Sequence, residues 1–208
     1  MIVRWLLVCV VAFPISALAQ DEEGNEVGLM LGGIITAEQS AAGTGVPLDI
    51  RNGLSFQATY ARRLRRGDSA SIYLEFPFIA TPSTDLQSAL GRVPRNYSSL
   101  FLTPGIRVKF APAARVSPWL SVGGGYALFE ESTTRIDGLE NTADRVTHTG
   151  ALQLGGGIDF DPGLRILLPI TFRGEVRDFY SGTPNYAVSV ENDMQHNVVV
   201  SGGFVIRF

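Results

Sequence analysis

Counted back from Phe208 in steps of two, the last stretch of the chain runs Ile206, Phe204, Gly202, Val200 and Val198; between them stand Arg207, Val205, Gly203, Ser201, Val199 and Asn197. One set is apolar and the other mixed. Successive side chains of a strand point to opposite faces, so this alternation predicts a two-sided strand over Asn197 to Phe208. The same period recurs upstream. Glu26 to Thr36 sets Val27, Leu29, Leu31 and Ile35 against Gly28, Met30, Gly32 and Ile34. Leu54 to Arg62 sets Leu54, Phe56, Ala58 and Tyr60 against Ser55, Gln57 and Thr59. Further strands are predicted over Ala70 to Ala80, Ser98 to Phe110, Trp119 to Glu130, Val146 to Phe160 and Arg165 to Tyr180. Pro104 falls inside the fourth of these, where a missing N–H predicts a bulge or weakened pairing.

The connections alternate long and short. The short ones are the basic stretch Arg63 to Ser69, the run APAARVSP, and Asp161-Pro162-Gly163, which reads as a tight turn. The long ones are polar, and the second, holding Pro82, Gly91 and Pro94, is read as about seventeen residues. An even number of strands with short turns on one side and long loops on the other suits a transmembrane barrel. With the aromatic end of the closing strand, Phe204, Ile206 and Phe208, this pattern resembles the small bacterial outer-membrane β-barrels of the OmpA-like and OmpX-like kind. The resemblance covers residues 26–208 and implies an all-β, eight-stranded, antiparallel up-and-down barrel with its turns and both ends in the periplasm. It implies contact with outer-membrane lipids and lipopolysaccharide, delivery to the barrel assembly machinery through the carboxy-terminal strand, and a monomer. The sequence carries no peptidoglycan-binding domain after the barrel, so that part of the OmpA role does not carry over.

Residues 1–19 agree with that compartment. Arg4, the apolar run Trp5 to Phe13 and Ala17-Leu18-Ala19 make a signal peptide, followed by a short acidic tail over 20–25. Cys9 lies in the signal, so the mature chain has no cysteine for disulfides or thiolate metal sites. Loss of Arg4 leaves 16 basic against 20 acidic residues, a net of −4 that does not point to nucleic acid. No mature segment approaches the roughly 20 apolar residues of a spanning helix. A membrane-spanning form must therefore be a closed barrel.

A soluble eight-stranded barrel would alternate as well, with its apolar set inside. The mixed set decides between them. It holds Glu75, Arg107, Asp159, Arg173, Glu175 and Arg177 beside Gly105, Gly123, Gly125, Ala151, Gly155 and Gly157. Small residues have no use on a solvated surface, whereas in a lumen only wide enough for side chains they make room for long arginines. A charge at the lipid midplane costs roughly 2–4 kcal/mol, so the charged parity belongs inside. Glu75, Arg107, Arg173, Glu175 and Arg177 are the candidate lumen network, expected to fill and close the barrel. Pairing the sixth and seventh strands through a tight turn, with Arg165 opposite Asp161, predicts Arg173 opposite Gln153, Glu175 opposite Ala151 and Arg177 opposite Thr149. Tyr60, Trp119, Tyr126, Phe129 and Tyr180, near strand ends, are expected in interfacial girdles.

Catalytic and cofactor chemistry is sparse. The mature chain has two histidines, His148 and His196, without a His-x-Ser spacing or a carboxylate at metal spacing. The GGG runs at Gly123 and Gly155 have no lysine or helix after them and are not phosphate loops. No catalytic residue, metal or cofactor is assigned. The expected role is structural or surface-interacting through the outer loops. One alternative is a narrow channel with a continuous lumen. The other is a lipid A-modifying enzyme, in which His148 or His196 meets a Ser or an acid on the outer-leaflet face.

Overall fold

A computed structural model describes residues 24–163 and 169–208; the predicted signal 1–19, most of the 20–25 tail, and Arg165 and Leu168 lie outside the described residues. The strands are β1 (Asn25–Thr36), β2 (Gln39–Ser40), β3 (Pro47–Ile50), β4 (Gly53–Arg65), β5 (Ala70–Gln87), β6 (Asn96–Leu102), β7 (Gly105–Phe110), β8 (Val116–Glu131), β9 (Val146–Phe160), β10 (Ile170–Gly182) and β11 (Met194–Arg207). Eight antiparallel staves form a closed barrel: β1, β4, β5, β6 with β7, β8, β9, β10 and β11. Strand β11 pairs with β10 on one edge and β1 on the other, closing the sheet. Closure leaves no barrel edge with unpaired backbone groups, the condition for crossing lipid with strands. The seam extends to the terminal residue: Asn25 N donates to Phe208 O at 2.8 Å, and Phe208 N to Asn25 O at 3.0 Å.

The predicted fourth strand is β6 followed by β7, separated by Thr103 and Pro104. The register does not slip across the gap, because Leu102 faces Tyr126 and Gly105 faces Gly123 in one continuous pairing with β8. Pro104 thus interrupts the ladder without a bulge, its missing N–H being the cause. The backbones run unusually close here. A Cβ on Gly125 would lie 2.1 Å from Leu102 O, and one on Gly105 would lie 2.3 Å from Val122 O. The glycine run of β8 is therefore a backbone contact surface.

Two connections differ from expectation. The seventeen-residue second loop is only 88–95, because β5 continues to Gln87. Its outer end is paired by Asp49 and Ile50 of β3, and a register shift between Thr81 and Thr84 accommodates Pro82. The pairing of β10 with β9 after the predicted turn also differs from expectation. Gly163 takes φ +77° and its N–H is bound by Asp161 Oδ1, but β10 starts only at Ile170. Arg173 consequently faces Asp159, Glu175 faces Gly157 and Arg177 faces Gly155, six residues along β9 from the predicted partners. The physical reason is fit: this register sets Arg173 against a carboxylate and gives the other two long side chains glycines. A Cβ on Gly157 would lie 2.9 Å from Glu175 Cβ and 2.6 Å from Trp119 Cζ2. Six is even, so the inward parity is retained.

The exterior is an apolar belt. Leu31, Leu54, Leu120, Val122, Leu152, Leu154 and Ile158 are 53–67% exposed, with Phe56, Phe172 and Phe204 on the same surface. Such a continuous apolar exterior around a polar interior is the surface of a membrane-spanning barrel, and it excludes the soluble arrangement.

The lumen itself is two layers, not one charged filling. Its periplasmic half is ionic. Its outer half is an apolar core of Ile34, Ile79, Phe101, Phe129, Phe179 and Val199, continued upward by Leu48, Val93, Tyr97 and Tyr186. Phe101 and Phe179 stack with ring centres 4.7 Å apart, and Phe129 meets Phe101 edge-on at 5.8 Å. The outer loops close over this core. Ala42 N donates to Ser189 O and Glu191 N to Ser40 O, tying the first loop to the fourth. Ile136 N donates to Val93 O, tying the third to the second, and Asn185 Nδ2 donates to Asp144 O, joining the fourth to the third.

Candidate functional site

The five candidate residues Glu75, Arg107, Arg173, Glu175 and Arg177 all lie buried in the periplasmic half of the lumen. Each stands on the inward parity of its strand, so strand geometry alone aims them at the axis. The structure divides them into two linked clusters. In the deeper one, Arg177 Nη1 lies 2.8 Å from Glu75 Oε1 and Arg177 Nε 2.6 Å from Glu175 Oε1. Gln57 Nε2 donates to the same Glu175 oxygen at 2.6 Å, and Arg107 Nε lies 3.2 Å from Glu75 Oε2.

The second cluster, nearer the periplasm, holds residues that strand assignment alone left out of the network. Arg173 grips Asp159 with both arms of its fork, Nε to Oδ1 at 2.6 Å and Nη2 to Oδ2 at 2.9 Å. Lys109 Nζ donates to Asp159 Oδ2 at 2.7 Å. Glu26, on β1, accepts from Arg107, from Arg173 Nη2 at 3.3 Å and from Arg207 Nε at 3.1 Å. Glu26, Lys109 and Arg207 do share the inward parity. Their membership was legible as a face but not as a partner, because Glu26 and Arg107 stand 81 residues apart and meet only across the closed barrel.

Trp119 and Phe129 are not girdle residues. Both are buried in the lumen on the parity of Ser121, and only Tyr60, Tyr126 and Tyr180 of the predicted girdle face outward. Trp119 lies among the arginines, its ring 5.1 Å from the Arg177 guanidinium carbon, 5.2 Å from that of Arg173 and 5.7 Å from that of Arg107. Its indole face gives three guanidiniums a desolvated π-surface, the setting in which cation–π attraction is strongest. The arrangement can hold the staves together and obstruct the axis. No group of three or more His, Cys, Asp or Glu suited to a metal occurs among the described residues.

Both histidines lie on the exterior. His196 Nδ1 is 2.7 Å from Asp178 Oδ2, with the Tyr180 ring at 4.9 Å, and His148 Nδ1 meets the Tyr126 hydroxyl. Above the belt, Tyr186 of the fourth loop descends into the outer mouth, where its hydroxyl donates to Gln195 Oε1 at 2.9 Å. Burial, with the neighbouring Tyr97 and Glu131, holds its phenol well above the ordinary range, so it stays a neutral donor.

No protein-family model matches the sequence, and no curated protein matches it. Solved structures do. Neisserial surface protein A is similar over 90% of this chain and 98% of its own, at 11% identity and a TM-score of 0.53. OprG of Pseudomonas aeruginosa is similar over 90% of this chain and 99% of its own, at 13% identity and 0.52. The outer-membrane protein AlkL is similar over 91% and 92%, at 16% identity and 0.50. The shared feature is the fold: this chain is an eight-stranded barrel of the small outer-membrane type. Its apolar belt and closed backbone ladder are those of a protein that resides in that membrane.

Proposed function

We propose that the protein is a sealed outer-membrane barrel without enzymatic activity, whose role is structural or is exercised at the cell surface by its outer loops. The carrying observation is the double obstruction of the axis, a buried ion network below and an aromatic core beneath joined loops above. The tied loops favour surface interaction, since a pre-ordered surface loses little entropy on meeting a partner. The proposal includes a monomer surrounded by outer-membrane lipids and lipopolysaccharide. It also includes recognition of the Phe204, Ile206 and Phe208 face by the assembly machinery.

Single-channel recording tests the seal. The refolded mature protein in planar bilayers is expected to give no steady conductance, with leak appearing in Arg173→Ala and Glu175→Ala. Stable ion-selective openings in the wild type would make the channel reading the better one. The His196 and Asp178 pair is the observation that bears on the enzymatic reading. A carboxylate-oriented imidazole is part of a general-base arrangement, but the rings' hydrogen-bond partners among the described residues are Asp178 and Tyr126, with no serine or threonine hydroxyl.

A further inference from the structure

One inward carboxylate stands apart from the ion network. Glu131 ends β8 at the outer mouth, five residues beyond the outward Tyr126, and is only 2% exposed. Glu130 beside it has the outward parity, where lipid would exclude a charge, so this end of β8 lies above the hydrocarbon. Glu131 Oε1 accepts the backbone N–H of Asn185 at 2.8 Å and the Thr147 hydroxyl at 3.5 Å. Its Oε2 is buried without a hydrogen-bond partner among the described residues. We propose that Glu131 is a proton-operated latch, closed when protonated, that sets how firmly the fourth loop is held on the outer mouth. The inference rests on the reading that the joined loops are the surface this protein presents.

Three observations carry it. The first is what the carboxylate holds. Asn185 begins the segment whose next residue, Tyr186, descends into the mouth and donates to Gln195. Asn185 Nδ2 donates to Asp144 O, and Asn185 Oδ1 accepts the Ala187 N–H at 3.0 Å. Ala187 takes φ +57°, a left-handed conformation that a residue with a Cβ adopts only when its surroundings impose it. The segment is thus kept in a disfavoured shape by a few bonds, and the one from Asn185 N–H to Glu131 ties it to the barrel wall.

The second is the charge around Glu131. Glu26, Glu75, Asp159 and Glu175 each meet a guanidinium. Glu131 has no Lys, Arg or His partner among the described residues. The titratable and charged residues around it are Tyr97, its direct cross-strand neighbour on β6, Tyr186 of the fourth loop, and Glu130. From the third loop, Arg145 reaches it through a backbone carbonyl that accepts the Glu131 N–H, and Asp144 through Asn185. A buried carboxylate without a cation is far more costly than a neutral carboxyl. Burial, with Glu130 adding repulsion, pushes the Glu131 carboxyl up to about 7, although Asn185 and Thr147 both donate to it.

The third is the direction of the linkage. Glu131 is an acid raised in the closed form, and it returns to the ordinary carboxylate range once the loop lifts and water reaches it. The advantage of the closed form is complete below that ordinary range, falls as pH rises, and is spent above about 7. The loop is therefore held in acid and loosened in mild alkali. The ion network lies at the other end of the lumen and is untouched, so pH changes the presented surface rather than the seal.

Amide hydrogen exchange of Asn185 and Ala187, followed by NMR on the refolded mature protein in phosphatidylcholine nanodiscs, tests the latch. Corrected for the intrinsic pH dependence of exchange, wild-type protection is expected to fall by up to about tenfold per pH unit between about 5 and about 7, and to level off above. In Glu131→Gln, a permanent mimic of the neutral carboxyl, it should stay high and flat, whereas Glu130→Gln should retain the fall. Wild-type protection that is independent of pH, or an equal fall in Glu131→Gln, overturns the proposal. So does loss of the fall in Glu130→Gln alone, which would place the switch on the outer surface. Should Glu131→Gln fail to refold, carbon-13 titration of the wild-type glutamate carboxyls decides. A carboxyl titrating near 7 in step with Asn185 protection supports the latch, and its absence overturns it. Exchange reports the loop and not the current, so failure of the latch and failure of the seal are separate results.

Discussion

Arg177→Ala is expected to lower the free energy of unfolding by about 3–5 kcal/mol, the cost of breaking a buried ion pair by deleting one partner. The guanidinium holds Glu75 at 2.8 Å and Glu175 at 2.6 Å, and both carboxylates are buried. Removing the cation leaves Glu175 with the neutral Gln57 donor and Glu75 sharing Arg107 with Glu26, so two buried negative charges lose the guanidinium between them. The effect comes from their desolvation rather than from the lost attraction. The double variant Arg177→Ala with Glu75→Gln should therefore be less destabilised than Arg177→Ala alone, although it removes more ionic contacts. Reversible urea unfolding of the protein in lipid vesicles, followed by tryptophan fluorescence, makes the comparison. A loss below about 1 kcal/mol for Arg177→Ala would show that water and neighbouring cations screen the site.

Trp119→Ala is expected to cost a further amount of the same size, about 3–5 kcal/mol, typical of a buried aromatic truncated to a methyl. It should also convert a silent barrel into a leaking one. The indole lies between Gly157 on β9 and three guanidiniums, at the level where the two ionic clusters meet. A polar cavity left in that position is large enough to take water. Trp119→Phe keeps a π-face and most of the volume, so its stability and conductance should fall between those of wild type and Trp119→Ala. A stable, non-conducting Trp119→Ala would mean that the apolar outer core alone seals the axis.

The inward or outward direction of nearly every strand residue was readable from period-two alternation, and it held even where register did not. The six-residue displacement of β10 along β9 moved Arg177 from Thr149 to Gly155 without moving it from the lumen. The same rule, applied without exception, places Trp119 and Phe129 inside, because they alternate with Leu120 and Leu128. Aromatic rings near strand ends suggested a girdle, and at these two positions the parity of the strand prevailed. The apolar outer half of the lumen follows likewise from Phe101, Phe179 and Val199, which share the parity of the charged residues further down their strands. Turn chemistry was the weaker guide. Asp161-Pro162-Gly163 does form a local Asx-type turn at Gly163, yet the register beyond it pairs Phe172 with Phe160, not the partner a tight turn implies.

By itself, then, the sequence determined the number of staves, the side of the wall each residue occupies and the apolar belt that meets lipid, since alternation is a property of a strand taken alone. The tertiary structure alone decided which charge meets which, the depth of each layer and the gathering of Glu26, Asp159, Lys109 and Arg207 into one cluster. Those depend on the stagger of neighbouring strands and on closure of β11 against β1. Closure brings residues more than a hundred positions apart into contact through a geometry that no local pattern encodes.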